Sequence, residues 1–206
     1  MRETILQSAQ EAVRAAEQLL SEEALAFIER ATSLMATTLG TGGKILVAGN
    51  GGSLADAIHF AEELTGQFRA PRPALAAIAL ADPGHLSCVA NDMGYDRVFA
   101  RGIEALGRKG DLFIALSTSG NSANLIQALE QAQNQGLTTV AFLGKGGGKM
   151  KGMATLEWIV SGFRYADRIQ EAHMAAIHIL IEMIERVLFP EQIQEPVEKH
   201  VALSLC

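Results

Sequence analysis

Hydrophobic positions divide the chain into a helical beginning, an alternating middle and a helical end. Residues 2–39 contain neither Pro nor Gly, and Leu6, Ala9, Val13, Ala16, Leu19 and Leu20 recur near the helical period. Ser21-Glu22-Glu23 reads as the cap of a second helix carrying Leu25, Ile28, Ala31, Leu34 and Met35. Two N-terminal helices follow, expected to pair antiparallel. Beyond Gly40 the period shortens. Apolar runs at 44–48, 74–80, 112–116, 138–143 and 156–160 read as strands, with helical runs near 53–65, 84–90, 96–107, 121–135 and 148–153. Such alternation predicts a parallel sheet covered on both faces. A long last helix is expected over about 167–188, with Ile169, Met174, Ile177, Ile179, Leu180, Ile181, Met183 and Ile184. It is apolar around much of its circumference, so burial against other subunits is expected. Pro190 ends it. The reading is one domain over 1–190: a helical pair at about 2–39, an α/β core at about 43–161 and the last helix. The segment 191–206, with Pro196 and mixed charges, is a tail.

Composition narrows the function. A length of 206 residues, 49% hydrophobic and 19% charged, suits a soluble globular domain with a sizeable core. A net charge of −6 without any Lys/Arg block argues against a nucleic-acid surface, so an anionic ligand must be held by local donors. No apolar run approaches the ~20 residues of a membrane span, and no signal-peptide pattern is read at the start. Cys88 and Cys206 form no disulfide framework. Cys88 is expected as a buried thiol and Cys206 in the tail. The expectation is a cytoplasmic protein.

Two turns carry candidate ligand chemistry. Ser117-Thr118-Ser119-Gly120-Asn121-Ser122 follows the apolar Leu112–Leu116 and precedes a helical run. Hydroxyls, free N–H groups and the positive end of a helix suit a phosphate without any lysine. The same residues also make an ordinary N-cap and turn. Gly49-Asn50-Gly51-Gly52-Ser53 repeats the arrangement after Ile45–Ala48. Ligands of open parallel sheets bind beyond the carboxyl ends of strands, so the pair predicts one small, anionic, polyhydroxylated ligand. Neither a dinucleotide fingerprint nor a P-loop is present: Leu54 breaks the first. In the Gly144–Lys149 segment the glycines are one residue too close, and Met150 stands where Ser or Thr is needed.

His59 and Glu63 are four apart on one predicted helix, so they share a face. They could bind a divalent metal or position a general base. A plain surface pair is the simpler reading of that spacing. The last helix carries Gln170, His173 and His178, polar groups that are costly to bury unpartnered. Spacing alone does not decide which histidine belongs to a site. Asn91-Asp92, before Gly94, reads as a loop that could also bind sugar hydroxyls.

Together these residues resemble the sugar isomerase (SIS) domain superfamily and, within it, the bacterial phosphoheptose isomerases. The matching stretches are Gly49–Ser53, His59–Gly66, Asn91-Asp92, Ser117–Ser122, Gly144–Met150 and Tyr165–Glu171, and the likeness runs to about Phe189. The serine turn alone is weakly specific; His59-x3-Glu63 together with Gln170-x7-His178 is highly specific. The resemblance implies a three-layer αβα sandwich around a five-stranded parallel sheet of flavodoxin type, with the outer helices forming an oligomeric bundle. It implies conversion of sedoheptulose 7-phosphate to D-glycero-D-manno-heptose 7-phosphate, the first step towards ADP-heptose and lipopolysaccharide core. It further implies a cytoplasmic homotetramer with shared active sites and one zinc ion per subunit. Carried over by position, Asn50, Gly51, Gly52, Ser53, Glu63, Asn91, Asp92, Ser117, Thr118, Ser119, Ser122 and Gln170 contact substrate. His59, Glu63, Gln170 and His178 are the implied metal ligands, Glu63 the base and His178 its acid partner. Gln170 and His178 are separated by about 12 Å of helix rise, so both reach one ion only by long reaches, a helix distortion or a neighbouring chain's ligand. Gln67 stands where relatives often carry Arg, and Arg69 is the candidate to replace that charge. Non-catalytic phosphosugar sensors and replication-initiation regulators share the fold, and Glu63 favours the enzyme over them.

Overall fold

The computed structural model describes residues 1–192, so Cys206 and most of the tail lie outside the described residues. Helix α1 (Arg2–Glu17) and helix α2 (Glu22–Gly40) are joined by a 3-10 turn. The predicted cap is present: the Ser21 Oγ accepts from the Ala24 N–H at 3.2 Å, with Glu22 and Glu23 in the first turn. The expected antiparallel pairing is replaced by another arrangement. Both helices pack on the last helix, and α1 buries only Ala15. Its Ile5, Leu6 and Val13 remain exposed, because one chain offers that stripe no partner.

Five parallel strands follow: β1 (Ile45–Gly49), β2 (Ala77–Ala79), β3 (Leu112–Ser117), β4 (Thr138–Gly144) and β5 (Leu156–Val160). Their order is β2-β1-β3-β4-β5. Strands β1 and β3 are buried along their whole length, as near-continuous apolar runs require in a covered parallel sheet. Side-chain alternation splits the core in two. Ile45, Val47, Ile114 and Phe142 face α2, helix α3 (Gly52–Thr65) and helix α7 (Ala166–Leu188). Leu46, Ala48, Phe113 and Ala141 face helices α4 (Pro83–Met93), α5 (Val98–Leu106) and α6 (Ala123–Asn134). The expected sandwich is therefore present. Helices α3 and α6 leave neighbouring strands to opposite faces, which opens a crevice between the carboxyl ends of β1 and β3.

Four expectations are corrected. The run 148–153 is no helix but a 3-10 turn at Gly148–Met150, because Gly146, Gly147 and Gly148 all take positive φ. The strand expected at 74–80 shortens to three residues at the sheet edge. Asn91 and Asp92 lie in the last turn of α4 instead of a loop, and the chain turns at Gly94, φ 92°. Cys88 is exposed, since α4 turns that face outward. Helix α7 buries one face within the chain, including Ile169, Ile177, Leu180 and Ile184. Ile179 and Met183 on its other side are half-buried and Val187 is exposed. Among the described residues no helix is long and apolar enough to cross a membrane.

Candidate active site

The glycine turn is shaped by close approach. Gly51 takes φ 58°, ψ −123°, which L side chains avoid. A Cβ on Gly52 would stand 2.7 Å from the Gln170 Nε2, so glycine there lets the amide of α7 lie on the start of α3. Gln170 Nε2 also donates to the Ser53 Oγ at 3.4 Å. Gly51, Gly52, Ser53 and Gln170 are thus one cluster, which the sequence divides between two distant segments.

The serine turn uses its hydroxyls unequally. Ser117 Oγ accepts from the Gly120 N–H at 3.0 Å, and Ser119 Oγ from the Asn121 N–H at 3.2 Å. Ser122 occupies the N-cap of α6 but makes no side-chain cap bond. Gly120, φ 63°, lies against the backbone of Gly147, where a Cβ would come within 1.8 Å of the carbonyl oxygen. Asn121 Oδ1 accepts from the Lys149 N–H, and the Gly120 carbonyl accepts from the Met150 N–H. The segment Gly144–Met150 therefore braces the serine turn. Among the α4 residues, Asn91 Nδ2 donates to Asp92 Oδ1 at 2.8 Å and both side chains are exposed.

A second cluster lies further along the same two helices. His59 Nε2 is 3.2 Å from Glu63 Oε1, and His178 Nε2 is 3.3 Å from His59 Nε2. One ligand atom from each of His59, Glu63 and His178 falls within 4.8 Å of the others. Phe68 stacks on the His178 ring at 5.8 Å. Burial holds the His178 pKa below the ordinary histidine value, aided by His59 and opposed by Glu63. Asp56, one turn before His59, is pushed up to about 6 by burial, and its Oδ2 has no hydrogen-bond partner among the described residues. Two imidazole nitrogens and a carboxylate oxygen converging on one point suit Zn²⁺. At 3.3 Å the two histidine nitrogens cannot both carry protons facing each other, so one presents a lone pair.

The structure separates the two histidines of α7. His173 is fully buried between Phe142 and Trp158, its Nε2 on the Leu143 carbonyl at 3.0 Å. Burial lowers its pKa to about 4, so it is a neutral core residue. Gln170 makes its contacts at Gly52 and Ser53, two helical turns from His178. Arg69 forms an ion pair with Glu182 at 2.7 Å and adds positive charge near His178, while Gln67 is exposed.

Sequence reasoning missed four residues. Asn124 and Tyr95 hydrogen-bond Asn50. Arg72, in the stretch after α3, pairs with Glu185 of α7 and donates to the Glu63 carbonyl at 2.7 Å. A charged residue on the otherwise apolar face of α7 was the available signal for Glu185; none pointed to Arg72.

Comparison with known proteins agrees with this architecture. The family described as SIS domain matches residues 9–144. The phosphoheptose isomerase of Fusobacterium nucleatum is 53% identical over 167 residues, covering 81% of this chain and 86% of that one. The structure of the phosphoheptose isomerase from Neisseria gonorrhoeae superposes with a TM-score of 0.79 at 40% identity, covering 89% and 98% of the two chains. The one from Francisella tularensis gives 0.84 at 32% identity, covering 89% and 97%. The glycine turn, the braced serine turn and the His–Glu–His cluster thus sit on a shared framework, and the chain belongs to the SIS domain family and, within it, to the phosphoheptose isomerases.

Proposed function

We propose that the chain interconverts sedoheptulose 7-phosphate and D-glycero-D-manno-heptose 7-phosphate in the cytoplasm, supplying the route to ADP-heptose and lipopolysaccharide core. The observation that carries this reading is the meeting of Glu63 with His178, a neutral imidazole, on helices that also converge on a glycine turn. Moving hydrogen between C1 and C2 of a sugar needs a base at carbon and a donor at oxygen. Glu63 takes the proton, giving an enediol, and returns it to the neighbouring carbon. His178 exchanges a proton with the carbonyl and hydroxyl oxygens, and its depressed pKa keeps it neutral enough to act in both directions. Zinc, one ion per subunit, is the expected metal; His59, Glu63, His178 and Gln170 would hold it, and it would polarise the sugar oxygens as a Lewis acid, while Glu63 and His178 move protons only through lone pairs that it leaves free.

Phosphate binding is assigned to Thr118, Ser119, Ser122 and the first N–H groups of α6. Ser117 contributes by shaping the turn, since its hydroxyl accepts from Gly120. Asn91 and Asp92 are assigned to sugar hydroxyls.

The active sites are shared between chains of a homotetramer. Helices α3 and α7 run side by side in the same direction: Gln170 meets Ser53 at one end, and His178 meets His59 further on. Ser53 and Glu63 are then separated by about 15 Å of rise. An extended seven-carbon phosphate spans about 10 Å at about 1.2 Å per bond. The backbone separation exceeds the ligand's length, which supports a reading in which one chain's glycine turn and its own Glu63 serve different substrates. The half-covered face of α7 and the exposed stripe of α1 supply surface for such an assembly. On this basis Gln170 joins the metal set of a neighbouring chain. The test is incubation of pure protein with sedoheptulose 7-phosphate and detection of heptose 7-phosphate; absence of product refutes the assignment.

A further inference from the structure

The glycine turn and the serine turn leave neighbouring strands in opposite directions, so nothing in the sheet fixes their separation beyond the strand ends. One pair of side chains spans the gap. Asn50 Nδ2 donates to Asn124 Oδ1 at 3.0 Å, and Asn124 Nδ2 donates back to Asn50 Oδ1 at 2.9 Å. Asn124 is 3% exposed in the first turn of α6, directly after the serine turn. It caps nothing, and asparagine is a poor helix former, so local structure gives no reason for it there. A buried amide without partners would be costly, and the reciprocal pair removes that cost for both. The hydroxyl of Tyr95, a residue 55% exposed in the 3-10 turn after Gly94, donates to the same Asn50 Oδ1 at 3.1 Å.

The count of lone pairs separates two roles for Asn50. Its Oδ1 accepts two hydrogen bonds from the protein, which is that atom's capacity, and only one N–H remains. The side chain is therefore unavailable as an acceptor for a sugar hydroxyl. We propose that Asn124 is a positioning residue: through the reciprocal amide pair with Asn50, completed by Tyr95, it holds the glycine turn and the serine turn at the one separation that lets a single phosphosugar span both. The Asn50 side chain then acts chiefly on the protein, and towards substrate it can offer one N–H and no acceptor, beside the backbone of the turn.

This rests on the phosphosugar reading above. The test is a double-mutant cycle on the intact protein with Asn50→Ala, Asn124→Ala and both together. Each is measured by kcat/KM and by calorimetric Kd for sedoheptulose 7-phosphate, with inorganic phosphate as a probe of the serine turn alone. Expected are losses of about 10–100-fold for each single variant, as for a misplaced binding group. The double variant should be no worse than the worse single one, because both remove one interaction. Phosphate affinity should stay within about twofold, a readout that general loosening of the fold would not spare. Tyr95→Phe should lose less, in the same direction. The proposal is overturned if Asn124→Ala matches wild type while Asn50→Ala does not, if the two losses multiply, or if phosphate affinity falls in parallel. Should Asn124→Ala fail to fold, the isosteric Asn124→Asp takes its place; if neither folds, the pair is a folding element and the proposal falls. Wild type that binds the sugar without turning it over refutes the isomerase assignment alone, and the cycle in Kd still decides this one. Wild type that neither binds nor turns it over refutes both.

Discussion

Glu185→Gln is expected to be the most destabilising conservative change in the helical layer. Both side chains of the Arg72–Glu185 pair are 1% exposed, with Arg72 Nε on Glu185 Oε1 at 2.7 Å. Arg72 also donates to the Glu63 carbonyl at 2.7 Å and the Leu64 carbonyl at 2.8 Å, closing the C-terminal end of α3 and tying it to α7. Glu185 Oε2 accepts from the Arg69 N–H at 3.4 Å. Glutamine keeps the shape but leaves a guanidinium buried without a counter-charge. Breaking a buried pair in this way costs about 3–5 kcal/mol, far above the ~0–1 kcal/mol of a surface pair. For a chain of this size that lowers Tm by roughly 10 °C. The assay is urea denaturation at one fixed protein concentration, since the proposed assembly would make stability depend on it. Arg72→Met with Glu185→Met removes both charges and should recover part of the loss. It should not recover all of it, because the Glu63 and Leu64 carbonyls both lose their donor, at about 1–3 kcal/mol each. A loss below about 1 kcal/mol for Glu185→Gln would refute the argument, since it would mean that solvent screens the pair as at a surface.

Other outcomes follow from the site. Glu63→Gln should keep the fold and lower kcat by about 10²–10⁴, measured with sedoheptulose 7-phosphate; wild-type turnover would exclude Glu63 as the base. Ser119→Ala and Ser122→Ala should each weaken phosphosugar binding by about 1.5–3 kcal/mol, the worth of a hydrogen bond to a charged group, with little change in Tm; calorimetry checks both. His173, at about 4 against 6.5 in the unfolded chain, leaves the unfolded state binding more protons in between. Its contribution is therefore complete above pH 6.5 and is lost as pH falls towards 4, by up to about 3 kcal/mol. Asp56, raised to about 6, has the opposite slope, but it cancels when wild type is compared with His173→Phe; parallel stability curves from pH 7 to 4 would refute the assignment. Mixed, partly dissociated subunits should regain activity when Glu63→Gln is combined with Gln170→Ala. Glu63→Gln with His178→Ala should stay inactive, because those two residues meet within one chain; the reverse pattern would sink the shared-site arrangement.

The sequence by itself determined the αβα alternation, the limits of β1, β3, β4 and β5 to within a residue or so, and the cap at Ser21. These are set by local forces: apolar period, N-cap chemistry and glycine, all of which act over a few residues. Reading His59 with Glu63 also worked, because four residues in a helix fix a shared face. Choosing His178 over His173 was different. Both are histidines on one helix, and spacing left them equal; the resemblance pointed to His178, while the fold sent His173 into a core of Phe142 and Trp158. Only the tertiary structure could decide what depends on facing surfaces. Cys88 turned outward because α4 lies at the surface, and α1 packs on α7 instead of pairing with α2. Asn124 found Asn50 across 74 residues, and Arg72 found Glu185 across 113. The residues that join distant segments carry no local signature, since their free energy comes from a partner that the chain brings near only by folding.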